Sequence, residues 1–289
     1  AITRGSQLLL VGDPKQLPPT DFFRDMSEGP DAEDEDAAAS LTTMESILDR
    51  GLMVMPHVSL RWHYRSRHES LIAFSNAEFY ENELVIFPSA HRKRSDLGVH
   101  LVYEPGDMYD RGGSGTNRAQ ARRVAEAVFE HARRHPDKSL GVGAFSQRQQ
   151  QAILDEVELL RRNDESLESF FSTDEEEPFF VKNLETIQGD ERDVILLSVG
   201  YGKSERAERL SMNFGPVNRE GGWRRLNVLV TRAREKCVVF TSIRSDDFDL
   251  GATGSRGAHA LHRFLHYAEH GQDPGAAGHD EGEESGFEQ

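Results

Sequence analysis

Short continuous apolar runs alternate along this chain with longer stretches in which apolar residues return every three to four positions. The short runs are Leu8–Val11, Val58–Leu60, Val99–Tyr103, Leu140–Phe145, Phe179–Val181, Val194–Val199 and Cys237–Thr241. Continuously apolar and bounded by turn residues, they predict strands covered on both faces. The longer stretches predict helices over 40–50 (capped by Ser40 or Thr42), near 66–79, and over 117–134, 147–162, 224–234 and 256–270. In the last of these, Leu261, Phe264, Leu265 and Ala268 share one side. Strand and helix in alternation predict βαβ units, hence an α/β fold with a mostly parallel sheet and helices on both faces. Residues 104–116 and 202–223 predict loops, and loops of that length in a compact domain are functional or mobile.

Charge changes this picture in one respect. The 289 residues carry 50 acidic and 34 basic side chains, a formal net charge of −16. That balance argues against a nucleic-acid partner only if it is spread evenly, and it is not. Residues 21–36 hold −7, 155–177 hold −8 and 271–289 hold −6, so the remainder is +5. Such acidic blocks are ordinarily solvated or disordered. No apolar run approaches the ~18 residues of a membrane-spanning helix. The single cysteine, Cys237, excludes an intramolecular disulfide and a cysteine-built zinc site. Its apolar surroundings predict a core thiol and a reducing, cytoplasmic setting. His259, His262 and His266 have metal-compatible spacing on the last helix, but a solvated helix face is the expectation there.

Four segments carry candidate chemistry. GDPKQLPP (Gly12–Pro19) reads as a strand ending in a tight turn at the carboxyl edge of a sheet, where open α/β sheets bind ligands. In the second segment, Leu60–Tyr80, Tyr64 stands beside Arg65. An aromatic face stacks on a base and a guanidinium fork holds phosphate oxygens, while Phe74, Phe79 and Tyr80 read as core. In Leu184–Val199, Gly189 permits close backbone approach and Glu191 can accept hydrogen bonds from sugar hydroxyls. In Trp223–Lys236, Arg225 and Arg232 fall on one helix face, with Leu226, Leu229 and Val230 as a core stripe. Taken singly, each segment also has an ordinary reading as a turn, loop or solvated basic helix.

Their order and spacing resemble the carboxy-terminal motor half of a superfamily 1 helicase of the 5′-to-3′, nonsense-decay type. GDPKQLPP resembles motif III, the HYRSR segment motif IV, ETIQGDERDVILLS motif V and RRLNVLVTRAR motif VI, together spanning residues 12–242. The 212–236 stretch is closer still to large bacterial multidomain helicase-like proteins, in some of which a small nuclease-like domain follows the motor. The resemblance implies a RecA-like second lobe of the P-loop NTPase type over 40–270. It makes 1–20 the end of the first lobe, 21–39 an acidic loop and 271–289 an acidic tail.

By position, the resemblance makes Arg65 and Arg232 finger arginines and Gln16 the residue that senses the γ-phosphate. Tyr64 becomes the stacking aromatic, and Glu191 with Gly189 the ribose contact. Single-stranded DNA or RNA is contacted by Thr186 and Gln188, and by Ser146 and Gln150 of a segment that departs from T-P-Y-x-x-Q at Phe145, Ser146 and Gln147. ATP and Mg²⁺ are the implied cofactors. The phosphate loop G-x-x-x-x-G-K-[ST] and the acidic metal motif do not occur in the 289 residues. The chain is therefore expected to be part of a longer protein whose amino-terminal RecA-like lobe supplies both, and to be inactive as an ATPase alone. The alternative is a non-catalytic scaffold or nucleic-acid-binding module. A nuclease within the chain is disfavoured, because its acidic residues lie in low-complexity runs.

Overall fold

The computed structural model describes residues 5–17, 46–89, 96–204 and 209–271. The chain divides into two compact units, Ala1–Arg61 and Trp62–Gln289. The 21–36 block, the tail beyond Gly271 and the expected caps Ser40 and Thr42 lie outside the described residues.

In the first unit, α1 spans Ile47–Val54. Ser46 caps it: its Oγ accepts from the Asp49 amide, and the Asp49 carboxylate accepts from the Ser46 amide. The strands expected at Leu8–Val11 and Val58–Leu60 are not formed. Leu9 is 86% and Val58 90% exposed. A run with high strand propensity still needs a neighbouring ladder, and among the described residues neither run joins the sheet.

Among the described residues the second unit is built on five strands, β1 (Gly98–Tyr103), β2 (Leu140–Ala144), β3 (Phe180–Asn183), β4 (Arg192–Ser198) and β5 (Ala233–Thr241). Their order is β1-β5-β4-β2-β3, and every ladder is parallel. This bears out the α/β expectation. The described helices that accompany the sheet are α2 (Ser70–Phe79), α3 (Arg118–Arg134), α4 (Gln147–Asn163), α5 (Gly222–Val230) and α6 (Arg256–His270). Helices α3 and α4 cover one face, packing Val124, Val128, Ile153 and Val157 on Val142, Leu196 and Phe240. Helices α2, α5 and α6 pack on one another and on β1 and β5. Phe74 joins Phe79 and Phe264 there, as its core reading expects.

Two departures from expectation have local causes. The helix expected over 224–234 ends at Val230, and β5 begins at Ala233 opposite Arg192. Thr231 Oγ1 donates back to the carbonyls of Asn227 and Val228, and Arg232 Nε donates to Val228 at 2.7 Å. These bonds satisfy the last carbonyls and close the helix. Arg225 and Arg232 therefore do not share a helix face; Arg225 pairs with Glu185 at 2.7 Å instead. The 155–177 block is not merely solvated. Phe170 and Phe171 within it pack on Phe179 and Phe129, and Glu177 pairs with Arg234.

The link from β3 to β4 positions the site. It runs from the carboxyl end of β3 back to the amino end of β4, past β2. Ile187 is fully buried on this path. A Cβ built on Gly143 of β2 would lie 2.5 Å from Leu229, 2.9 Å from Leu197 and 3.3 Å from Ile187. The missing side chain at 143 is what lets the link cross so near the sheet.

Candidate nucleotide and nucleic-acid site

Arg65, Glu191 and Arg232 come together at the amino edge of β4 and β5. Glu191 immediately precedes β4, and Arg232 immediately precedes β5. Arg65 reaches them from the segment before α2. Its Nε lies 2.6 Å from Glu191 Oε2, and its NH1 donates to the Thr231 carbonyl at 3.5 Å. Arg232 is 3% exposed, with NH2 donating to Thr231 Oγ1 at 3.0 Å. Burial, and then the charge of Arg65, push its guanidinium down to about 10, so it remains charged at neutral pH. Arg65 and Arg232 crowd one rim, where the half-exposed Glu191 pairs with Arg65 and lies near Arg234, a site suited to an anion.

Flanking groups complete the rim. Tyr64 is 92% exposed. Gly189 has φ +91 with open space where a Cβ would stand. Arg234, unremarked in the sequence, is braced by Glu177 and Asp193, and its pKa is raised by the Glu177 hydrogen bond. It ends the RRLNVLVTRAR segment, but its contacts in the fold are what bring it to the rim.

The residues expected on the nucleic acid lie at the other, carboxyl edge. Ser146 caps α4, its Oγ accepting from the Gln149 amide at 3.1 Å. Gln150 is engaged at both ends of its amide, donating to Val181 and accepting from Asn183, each at 2.9 Å. Thr186 and Gln188 are exposed, Thr186 Oγ1 donating to Asn183 Oδ1 at 3.3 Å. Ser146 and Gln150 thus brace loops, while Thr186 and Gln188 face solvent. Gln16 belongs to the first unit, where its Nε2 donates to Asp13 at 2.8 Å and closes a turn.

Other sequence readings resolve simply. Cys237 is buried and burial pushes its thiol up to about 12, a core residue as expected. The histidine face of α6 is not simply solvated: His262 packs edge-on against Phe248 and His259 Nε2 bonds the Thr253 carbonyl. Among the described residues no group of three or more His, Cys, Asp or Glu is arranged to hold a metal ion. No described helix is long and apolar enough to cross a membrane.

An all-parallel α/β lobe carrying three of the four helicase-like motifs, with the other ahead of it in the chain, defines the class: a RecA-like lobe of the superfamily 1 helicase type. A family model described as an AAA domain matches residues 40–244, and the chain belongs to that family. Two curated relatives share 33% identity with it, each over 92% of this chain. They are an uncharacterized ATP-dependent helicase, the MG140 homolog, of Mycoplasma pneumoniae and the uncharacterized ATP-dependent helicase MG140 of Mycoplasma genitalium. The chain spans 24% of the length of each. A solved structure described as the C-terminal domain of a possible DNA helicase from Lactobacillus plantarum has 11% identity and a TM-score of 0.35, over 62% of this chain and 86% of that one. At that distance it bears on nothing further.

Proposed function

We propose that this chain is the second motor lobe of an ATP-driven nucleic-acid translocase, working with an amino-terminal lobe of the same protein. The observation that carries this reading is the meeting of Arg65 with the Thr231–Arg232 corner at one rim of the sheet. Arg65 and Arg232 would stabilise the charge that develops on a transferring γ-phosphoryl group, a role worth ~10³–10⁵ in rate. Tyr64 would stack on the base, Gly189 and Glu191 would meet the ribose, and Gln16 would sense the γ-phosphate from the other lobe. Mg²⁺, held outside the residues of this chain, supplies charge neutralisation of the phosphates. At the carboxyl edge, exposed Thr186 and Gln188 would grip the phosphate backbone of a single strand irrespective of sequence, with Ser146 and Gln150 shaping the loops that present them.

The test is ATP turnover by the natural full-length protein with Arg65→Ala or Arg232→Ala. Each variant should lose ~10³-fold or more in kcat while nucleotide affinity changes by a few-fold at most. Wild-type turnover in either variant refutes the assignment.

A further inference from the structure

We infer that His63 is a positioning residue for Arg65: its imidazole closes the turn His63–Ser66, which turns Arg65 inward to Glu191 and Thr231 and leaves Tyr64 outside. The inference rests on the reading of Arg65 as a finger arginine.

The segment around this turn is anchored at both ends. Upstream, Trp62 forms a parallel bridge with Val85, and the His63 amide donates to the Val85 carbonyl at 3.1 Å. Downstream, the Arg67 amide donates to the Arg234 carbonyl at 2.7 Å, and the Arg67 side chain pairs with Glu235. Between these anchors, the Ser66 amide donates to His63 Nε2 at 3.2 Å, and Ser66 Oγ stands 2.9 Å from the same nitrogen. An amide can only donate, so Nε2 carries its lone pair, the ring proton is on Nδ1 and the imidazole is neutral. Burial, and after it the charge of Arg65, holds the His63 pKa below the ordinary histidine value. Tyr64 and Arg65, adjacent in sequence, end on opposite sides of the backbone: one is 92% exposed, the other bonded to Glu191 and Thr231.

A guanidinium that stabilises a transition state acts through its position, and an error of 1 Å can cost ~10²-fold in rate. In the natural full-length protein, His63→Leu should lower kcat for ATP by ~10-fold or more while KM stays within ~3-fold, because an aimed group is lost rather than a binding contact. His63→Gln places an acceptor oxygen where Nε2 stood and should restore most of the rate. In an Arg65→Ala background, His63→Leu should add no further loss. Wild-type kcat in His63→Leu, or the same loss repeated on top of Arg65→Ala, overturns the inference. If Arg65→Ala itself turns over normally, the finger reading fails and the positioning role fails with it. The turn is tested separately, and without relying on the leucine variant folding, by ¹⁵N shifts of the His63 ring in the 289-residue chain. An unprotonated Nε2 at neutral pH is expected, and a proton on Nε2 overturns the geometry.

Discussion

The Glu191 carboxylate holds the Arg65 guanidinium, Nε to Oε2 at 2.6 Å, although the two residues come from opposite sides of the sheet's connectivity. Arg65 precedes α2, and Glu191 closes the link from β3 to β4. Both side chains are about a third exposed, at 33% and 37%. An ion pair so exposed contributes ~1 kcal/mol at most. Glu191→Gln should therefore shift the free energy of urea unfolding by less than that, and a loss above ~2 kcal/mol would show the pair to be a structural anchor rather than a loose clasp.

Gly257 inverts an ordinary rule. Replacing a helical glycine with alanine usually stabilises by ~1 kcal/mol. Here the new Cβ would stand 1.8 Å from the Val217 carbonyl oxygen, a backbone atom that cannot rotate away. Gly257→Ala should destabilise by ~1–3 kcal/mol and lower the melting temperature. Thermal denaturation followed by circular dichroism decides the sign.

Glu235 is 8% exposed and receives both Arg67 and Lys138. Truncating it leaves two cations without their counter-charge, though both reach solvent in part. Glu235→Ala should cost ~1–3 kcal/mol, and Glu235→Met combined with Lys138→Met should recover most of that loss. Equal destabilisation of the single and double variants would count against this account.

Burial lowers the pKa values of His63, His100 and His131 in the folded chain. The unfolded chain then binds protons that the folded one refuses. Stability is full above the ordinary histidine value of ~6.5 and falls as pH drops from there toward the lowered folded values. Glu177, its pKa lowered first by the Arg234 hydrogen bond, adds a second loss below the ordinary carboxylate range. Urea midpoints should hold level from pH 8 to about 7 and decline from there to pH 4; a midpoint that rises between pH 7 and pH 5 contradicts the histidine assignment.

The centre of the sheet was legible in the sequence because β2 and β4 are buried on both faces over nearly all their length. Val194–Val199 has no polar residue to confuse its reading except Ser198, and β4 falls within two residues of that run. Periodicity also found α3, α4 and α6. It failed at 224–234 because apolar spacing cannot distinguish a helix ending in a side-chain cap from one that continues; Thr231 and Arg232 supply that cap. It failed at Leu8–Val11 and Val58–Leu60 because strand propensity is local while a ladder is not. For the site, motif order singled out Arg65, Glu191 and Arg232, and the fold sets them side by side. His63 and Arg234 stand inside the HYRSR and RRLNVLVTRAR segments, but their parts depend on which backbone or carboxylate they meet, and no spacing encodes that.

The crossing of Ile187 over Gly143 gives the link between β3 and β4 the character of a fixed-length strap. One end displays Thr186 at one edge of the sheet, and the other delivers Glu191 to the opposite edge. With Ile187 buried at its middle against the bare strand, slack cannot be stored along the way. An added or deleted residue there must be absorbed at one edge or the other, so its residue count is constrained more tightly than its composition.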